Sequence, residues 1–206
     1  MTTISQIEVE CPICKTNFEI SLLMSTNTWG SPDLDLRPPE MQRSTMDTWA
    51  YECPGCGYVA SDFNKKPEVT REFIESESYQ GCDGFEFKNP LSQIFYRQHL
   101  IEAHDLGKFH ALLHAAWACD DSEDRENARL LRGKCLYIIK NIDMDVTLEI
   151  QRADVLRRSH HFAQVINEYE NKTYSEDILN KIKDFQIEKS RLEDDGCYTV
   201  EDVLEK

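Results

Sequence analysis

The chain has 206 residues, of which 40% are apolar, and it carries a formal net charge of -15. This apolar content is enough to bury a core, which excludes a disordered chain, and no apolar run approaches the 18 or more residues of a membrane-spanning helix. Residues 1–91 hold 7 Lys/Arg against 15 Asp/Glu and residues 92–206 hold 16 against 23, so general binding to nucleic acid or to an anionic membrane is disfavoured.

The N-terminal segment has neither the basic residues nor the apolar stretch of a signal peptide, so we expect a cytoplasmic protein. Eight cysteines are present, and four of them form two Cys-Pro-x-Cys pairs. Their spacing is not that of a dense disulfide framework. In a reducing compartment, the first interpretation of such pairs is that they bind a metal.

Residues 1–63 are predicted to form short strands and turns. Apolar and polar residues alternate over residues 7–11 and 18–22, and residues 48–53 have the composition of a further strand. Three prolines lie within residues 30–40, where they exclude a helix interior and indicate an ordered or partly mobile loop. This half is therefore predicted to be β-like but poor in regular structure.

Residues 64–90 are predicted to connect this region to a helical half at residues 91–206. Apolar residues recur there at steps of three and four in five segments. They are Leu106, Phe109, Leu112, Leu113, Ala116 and Trp117; Ala128, Leu131, Cys135, Ile138, Ile139 and Ile142; Ile150, Ala153 and Leu156; Phe162, Val165, Ile166 and Tyr169; and Ile178, Ile182, Phe185 and Leu192. Short linkers predict antiparallel helices, and Ser122, Ser175 and Thr199 are the predicted N-caps.

A weak internal repeat lies within the helical half. Residues 160–166 resemble residues 106–113 at an interval of 53 residues. This interval exceeds the roughly 34 residues of a tetratricopeptide unit, so repeats of that kind would be degenerate or carry extra helices. We expect a tetratricopeptide-like helical array.

The two cysteine pairs carry the clearest chemical signal in the chain. Cys11 and Cys14 form the first pair, Cys53 and Cys56 form the second, and 38 residues separate them. Each Cys-x-x-Cys turn brings two sulfurs to one side of a bend, and two facing turns complete a tetrahedron around zinc. Protein ligands would then fill all four positions, so the metal is predicted to be structural. Gly57 is expected to adopt the positive φ that such a turn often needs.

Three alternatives remain open for these cysteines. They are four unligated buried thiols, a redox dithiol, and a rubredoxin-like iron site. The redox dithiol needs a thioredoxin-like βαβ context that neither pair shows. Residues 53–58 are typical of a rubredoxin segment, and thiolate spacing alone does not separate the two metals, although zinc is favoured.

The other candidate ligands give weaker signals. The remaining cysteines have no close partner in sequence, and they are Cys82, Cys119, Cys135 and Cys197. Cys135 lies on an apolar stripe and is predicted to be a core residue. His110 and His114 have a spacing that can hold a metal, but no His-Glu-x-x-His pattern accompanies them, and helix-packing histidines are ordinary at such positions.

No pattern in the sequence predicts an enzyme. A Gly-rich phosphate loop and a Gly-x-Ser-x-Gly elbow are both absent from the sequence, and the many carboxylates are predicted to be solvated. Arg152, Arg157 and Arg158 form a local basic patch that could bind an acidic partner but is more often a solvent-facing surface.

The two cysteine pairs, the sequence LDLRPP at residues 34–39, residues 49–63 and residues 113–121 resemble an uncharacterised bacterial family. Members of that family join an N-terminal zinc ribbon to tetratricopeptide-like helices, as a domain of unknown function. The resemblance spans most of residues 11–166. It implies a zinc-binding helical-repeat protein in the cytosol, and it implies no reaction.

The sequence thus predicts an α+β protein with a zinc ribbon at residues 1–63 that contains a long loop between its two cysteine pairs. A metal-stapled scaffold that binds a protein partner is the preferred function, and a redox or metal-handling protein with a rubredoxin-like iron site is the alternative. A nucleic-acid adaptor ranks last because it needs a basic surface. Replacement of Cys53 by Ser is expected to unfold the N-terminal part and leave much of the helical half folded.

Overall fold

The computed structural model describes residues 2–205 and is mainly helical, with a small β region near the N-terminus. The described strands are β1 (Thr3–Glu10), β2 (Asn17–Ser25), β3 (Tyr51–Glu52) and β4 (Val59–Ala60). The described helices are α1 (Glu40–Arg43), α2 (Arg71–Ile74), α3 (Glu77–Gln80), α4 (Pro90–Ile101), α5 (Asp105–Asp121), α6 (Arg125–Ile138), α7 (Val146–Arg158), α8 (Phe162–Tyr169), α9 (Asp177–Arg191) and α10 (Val200–Leu204). Among these helices none is long and apolar enough to cross a membrane.

Each cysteine pair occupies the turn of an antiparallel hairpin. Strand β1 pairs with β2 from Thr3 opposite Ser25 to Glu10 opposite Asn17, so the first pair lies in the connection between them. Strand β3 pairs with β4, and the second pair lies in that connection. The strand predicted at residues 48–53 is shorter than expected, because Met46–Thr48 forms a turn of 3-10 helix instead.

The helical half begins at Pro90, where the Asn89 side chain accepts a hydrogen bond from the amide of Leu91. Proline suits this first helical position because its missing N–H would have no intrahelical partner there. Helix α5 packs against α4 and α6, and α9 packs against α7 and α8. The prediction of a β region followed by helices is confirmed, whereas the tetratricopeptide-like arrangement stays a prediction. The two similar segments differ in structure, since residues 106–113 lie within the 17-residue helix α5 and residues 160–166 span the start of the 8-residue helix α8.

One of the three predicted N-caps is confirmed. Thr199 caps α10 and exchanges hydrogen bonds with Asp202 in a capping box. The prediction for Ser122 is wrong, because its hydroxyl donates to carbonyl oxygens at the end of α5 and so caps that helix at its C-terminus. The prediction for Ser175 is also wrong, since Glu176 holds the N-cap position of α9.

The loop between the two hairpins crosses to the helical half and is fixed there. The amide of Leu34 donates to the carbonyl of Tyr198 over 2.8 Å, and the amide of Val200 donates to the carbonyl of Pro32 over 2.9 Å. The Leu34 side chain is buried in a cluster with residues of α7, α9 and α10, including Phe185. The division at residues 63 and 90 stays a prediction, and these contacts run across it.

Asp35 anchors this loop through a buried network of charges. Its side chain is fully buried and accepts a hydrogen bond from the Trp117 indole over 2.7 Å. The guanidinium groups of Arg132 and Arg158 each lie 3.3 Å from the same carboxylate, and both also bind Asp120. Burial raises the pKa of Asp35, but the charges of the two arginines outweigh burial and hold the pKa below its ordinary value.

The predicted basic patch on α7 is not a solvent-facing surface, and that interpretation is wrong. Arg157 is fully buried and donates to Asp154 over 2.6 Å and to the Gln186 side chain over 2.6 Å. Arg158 belongs to the Asp35 network, and Arg152 pairs with Glu168 on α8. The partner of Arg157 lies three residues away on the same helix, whereas the carboxylates that bind Arg152 and Arg158 come from other parts of the chain. The local spacing of the arginines therefore does not reveal that these side chains are buried and paired.

Candidate metal centre

The four cysteines of the two pairs converge on one point. Their sulfur atoms all lie within 4.8 Å of one another, with Cys11 Sγ 3.7 Å from Cys56 Sγ and Cys14 Sγ 3.5 Å from Cys53 Sγ. A disulfide would require about 2.05 Å. Four thiolates at about 2.3 Å from a central ion form a tetrahedron with edges of about 3.8 Å, which the observed separations approach. These four residues can therefore hold a metal ion.

The two cysteine turns have the same local structure. The amide of Lys15 donates to the carbonyl of Cys11, and the amide of Gly57 donates to the carbonyl of Cys53, each over 2.9 Å. Lys15 has a φ of 66° and Gly57 a φ of 75°, which confirms the prediction for the glycine. A left-handed conformation costs about 1 kcal/mol for a residue with a side chain, so the first turn bears a strain that the second avoids.

The hairpins meet at Gly55. A Cβ atom added there would lie 2.4 Å from Thr16 Oγ1 and 3.2 Å from Cys14 Sγ, so a side chain does not fit without displacing Thr16. Thr16 Oγ1 itself lies 3.1 Å from Cys14 Sγ, within reach of a hydrogen bond from the hydroxyl to a thiolate. The amide of Gly55 also donates to Cys53 Sγ over 3.4 Å. Glycine thus permits the close approach that brings the sulfurs together.

Helices α3 and α4 hold the second cysteine turn in place. The Tyr79 hydroxyl donates to the carbonyl of Gly57 over 2.9 Å, and the Gln80 side chain donates to the carbonyl of Cys56 over 3.0 Å. Arg97 of α4 then donates to the backbone carbonyl of Gln80 over 2.8 Å. The turn is therefore positioned by the connector and by the first long helix, and not by its own hairpin alone.

Burial and hydrogen bonding give the thiols unequal acidities. Burial raises the pKa of Cys14, but hydrogen bonds from Thr16 outweigh burial and lower the pKa to about 6. Burial raises the pKa of Cys53 and of Cys56. A cation among the sulfurs would compensate the negative charge that burial disfavours, so metal binding should release protons and acid should release the metal.

Other candidate ligands do not join this cluster. Within residues 2–205, no other group of three His, Cys, Asp or Glu side chains has metal-binding spacing. His110 and His114 stack on α5 with ring centroids 6.4 Å apart, and His114 also contacts Trp49 and Trp117. Burial lowers the pKa of His114 to about 3, as expected for a packing residue that stays neutral. Cys135 is fully buried in the main core, as predicted.

Sequence reasoning missed the residues that support the cysteine turns. Thr16 follows the first pair by two positions and Gly55 lies inside the second pair, so their places in the two motifs were a signal that could have found them. Tyr79 lies 22 residues from the carbonyl that it binds, and no local pattern marks it. No family model, curated protein or solved structure matches this chain, so the family resemblance stays a prediction.

Proposed function

We propose that this chain is a metal-stapled protein-interaction protein, in which a structural zinc ion fixes the N-terminal hairpins and the helical half binds a protein partner. One observation carries the metal part, namely the convergence of the sulfurs of Cys11, Cys14, Cys53 and Cys56 within 4.8 Å. Four protein thiolates saturate a tetrahedral ion and leave no position for a substrate, which supports a structural role.

The loop between the cysteine turns supports a scaffold role. A metal ion that closes both hairpins also fixes the two ends of the 38-residue segment between Cys14 and Cys53. Leu34 and Asp35, near the middle of that segment, are buried against the helical half. The ion would thereby stabilise the helical surface indirectly. A cytosolic setting accords with the proposal, since the eight cysteines are free thiols.

Affinity purification tests the interaction part. The tagged protein is recovered from its native host in a wild-type form, in the Cys53→Ser variant and in the matched Cys197→Ser variant, whose cysteine is exposed and lies outside the cluster. We expect a partner protein to co-purify in stoichiometric amount with the wild type and with Cys197→Ser. When the partner carries the tag instead, it should recover this chain. The partner should be lost with Cys53→Ser. Absence of any reciprocal partner would contradict the scaffold proposal.

A redox or metal-handling role with a rubredoxin-like iron ion is the alternative, because four thiolates bind iron as well as zinc. The two metals differ in colour and in redox behaviour. Iron in this site would give a red protein with a reversible one-electron couple, whereas zinc would give a colourless protein that a mild reductant does not change.

A further inference from the structure

A groove of about 440 Å³ lies on the helical half, between α6 and the segment that joins α7 to α8. None of its lining residues belongs to the two hairpins. Four of them are cationic and none is a carboxylate, and the cations are Arg129, Lys134, Lys140 and Arg152. This is an unusual lining for a chain that holds 38 Asp/Glu and only 23 Lys/Arg.

Three of these cations are available for a ligand. Arg152 pairs with Glu168, whereas Arg129, Lys134 and Lys140 form no ion pair with any residue in the part of the chain that the structure describes. The Lys134 ammonium lies instead over the rings of Phe85, at 5.4 Å, and Tyr96, at 5.8 Å. The groove is therefore a positively charged site within a negatively charged molecule.

One face of α6 adds apolar surface and space to the groove. Leu130 is 40% exposed and Tyr137 is 75% exposed, and their spacing of seven residues places them on the same side of the helix. Gly133 lies between them with no positive φ, and a Cβ atom added there would meet nothing within 4 Å. Glycine inside a helix costs about 1 kcal/mol relative to alanine. Neither crowding nor backbone conformation requires glycine at position 133. Because glycine has no side chain, another chain can approach the helix backbone closely there.

We propose that this groove binds an acidic amphipathic helix of a partner protein, an inference that rests on the proposed interaction function. Apolar side chains of the partner would lie against Leu130, Gly133 and Tyr137, and its carboxylates would face Arg129 and Lys140. A nucleic acid would contact the same few cations, but the net charge of -15 would repel it. It would also leave the apolar side chains of the groove without a binding partner.

Two synthetic helical peptides of about five turns test the charge and shape of the groove. They share the same leucine stripe, and one carries Glu where the other carries Lys. Binding to the full-length, zinc-loaded protein is followed by fluorescence anisotropy at low and moderate salt. We expect the acidic peptide to bind at least about tenfold more tightly than the basic one, with an affinity that falls as salt rises.

Two variants locate the binding. Gly133→Leu places a larger side chain in the groove at a position where an added Cβ meets nothing within 4 Å, so the melting temperature should not fall while the affinity for the acidic peptide drops about tenfold or more. Arg129→Glu reverses one unpaired charge in the groove and should weaken binding similarly. Lys66→Glu makes the same charge change at an exposed residue of the connector and should leave the affinity unchanged.

Equal binding of both peptides, or acidic binding that Gly133→Leu and Arg129→Glu leave intact, would overturn the proposal. Oligouridylate binding that Gly133→Leu abolishes would assign the groove to nucleic acid instead. Self-association that the same variant abolishes would assign it to a second copy of this chain. If neither peptide binds while a partner still co-purifies with the tagged protein, the groove proposal fails and the interaction function stands.

Discussion

At the scale of single residues, the metal centre depends on the contact between Gly55 and Thr16. We expect Gly55→Ala to displace Thr16, because the new Cβ would lie 2.4 Å from its hydroxyl oxygen. The Cys14 thiolate would then lose a hydrogen bond, and losses of this kind lower metal affinity by about 10- to 100-fold. Competition for zinc with a chromogenic chelator measures this change.

Gly133→Ala is the matched control, since its added Cβ meets nothing within 4 Å and should leave the zinc affinity unchanged. Thr16→Ala removes the hydroxyl without crowding the turn and should reproduce part of the loss. An unchanged affinity in both Gly55→Ala and Thr16→Ala would show that the contact between the hairpins does not support the metal.

At the scale of elements, His114 of α5 packs against Trp49, near the end of the loop between the two hairpins, and against Trp117 of its own helix. Burial lowers its folded-state pKa to about 3 from an ordinary value of 6.5. As the pH falls below 6.5, the unfolded chain binds a proton that the folded chain does not, so acid destabilises the fold. At pH 5.5 this one histidine should account for a loss of about 1 kcal/mol.

His114→Phe keeps an aromatic ring and removes the titration. Urea unfolding at pH 7.5 and pH 5.5, with zinc in excess at both values, gives the loss of stability on acidification for each protein. The variant should lose about 1 kcal/mol less than the wild type. Equal losses in the two proteins would mean that His114 stays accessible to protons in the folded chain.

The elements also show where sequence reasoning succeeded and where it stopped. Local patterns predicted the cysteine pairs, the Gly57 turn and the apolar stripes of the long helices. The structure confirms that the four cysteines lie together and that Gly57 has a positive φ. Asp35 and Arg158 looked like solvated charges because their partners lie far along the chain. A local window cannot tell a buried ion pair from an exposed one, and only the packing of α5, α6 and α7 brings the charges together.

At the scale of the whole molecule, the loop that joins the cysteine turns is part of the helical core. Asp35→Ala should therefore destabilise the protein by about 3 kcal/mol or more, because Arg132 and Arg158 would be left buried with fewer carboxylate partners. Leu36→Ala is the matched control, since the neighbouring Leu36 is 41% exposed and takes no part in the charge network. Equal stability of the two variants in thermal or urea unfolding would contradict the role of the network.

The same loop links the metal to the helices. Loss of the metal in Cys53→Ser should lower amide hydrogen-exchange protection in α7 and α9 as well as in the hairpins, since Leu34 packs against residues of both helices. The sequence alone predicts that much of the helical half stays folded in this variant, whereas the loop contacts favour an effect that reaches α7 and α9. Protection that changes only in the hairpins would show that the two parts fold independently.

Element analysis of protein purified without added metal, with an absorption spectrum of the same sample, tests the metal centre itself. We expect one zinc ion per chain, no visible colour, and loss of that zinc in Cys53→Ser but not in Cys197→Ser. A red protein that contains iron would favour an electron-transfer function over a structural role for the metal. A chain that binds no metal would contradict the assignment of Cys11, Cys14, Cys53 and Cys56 as a metal centre.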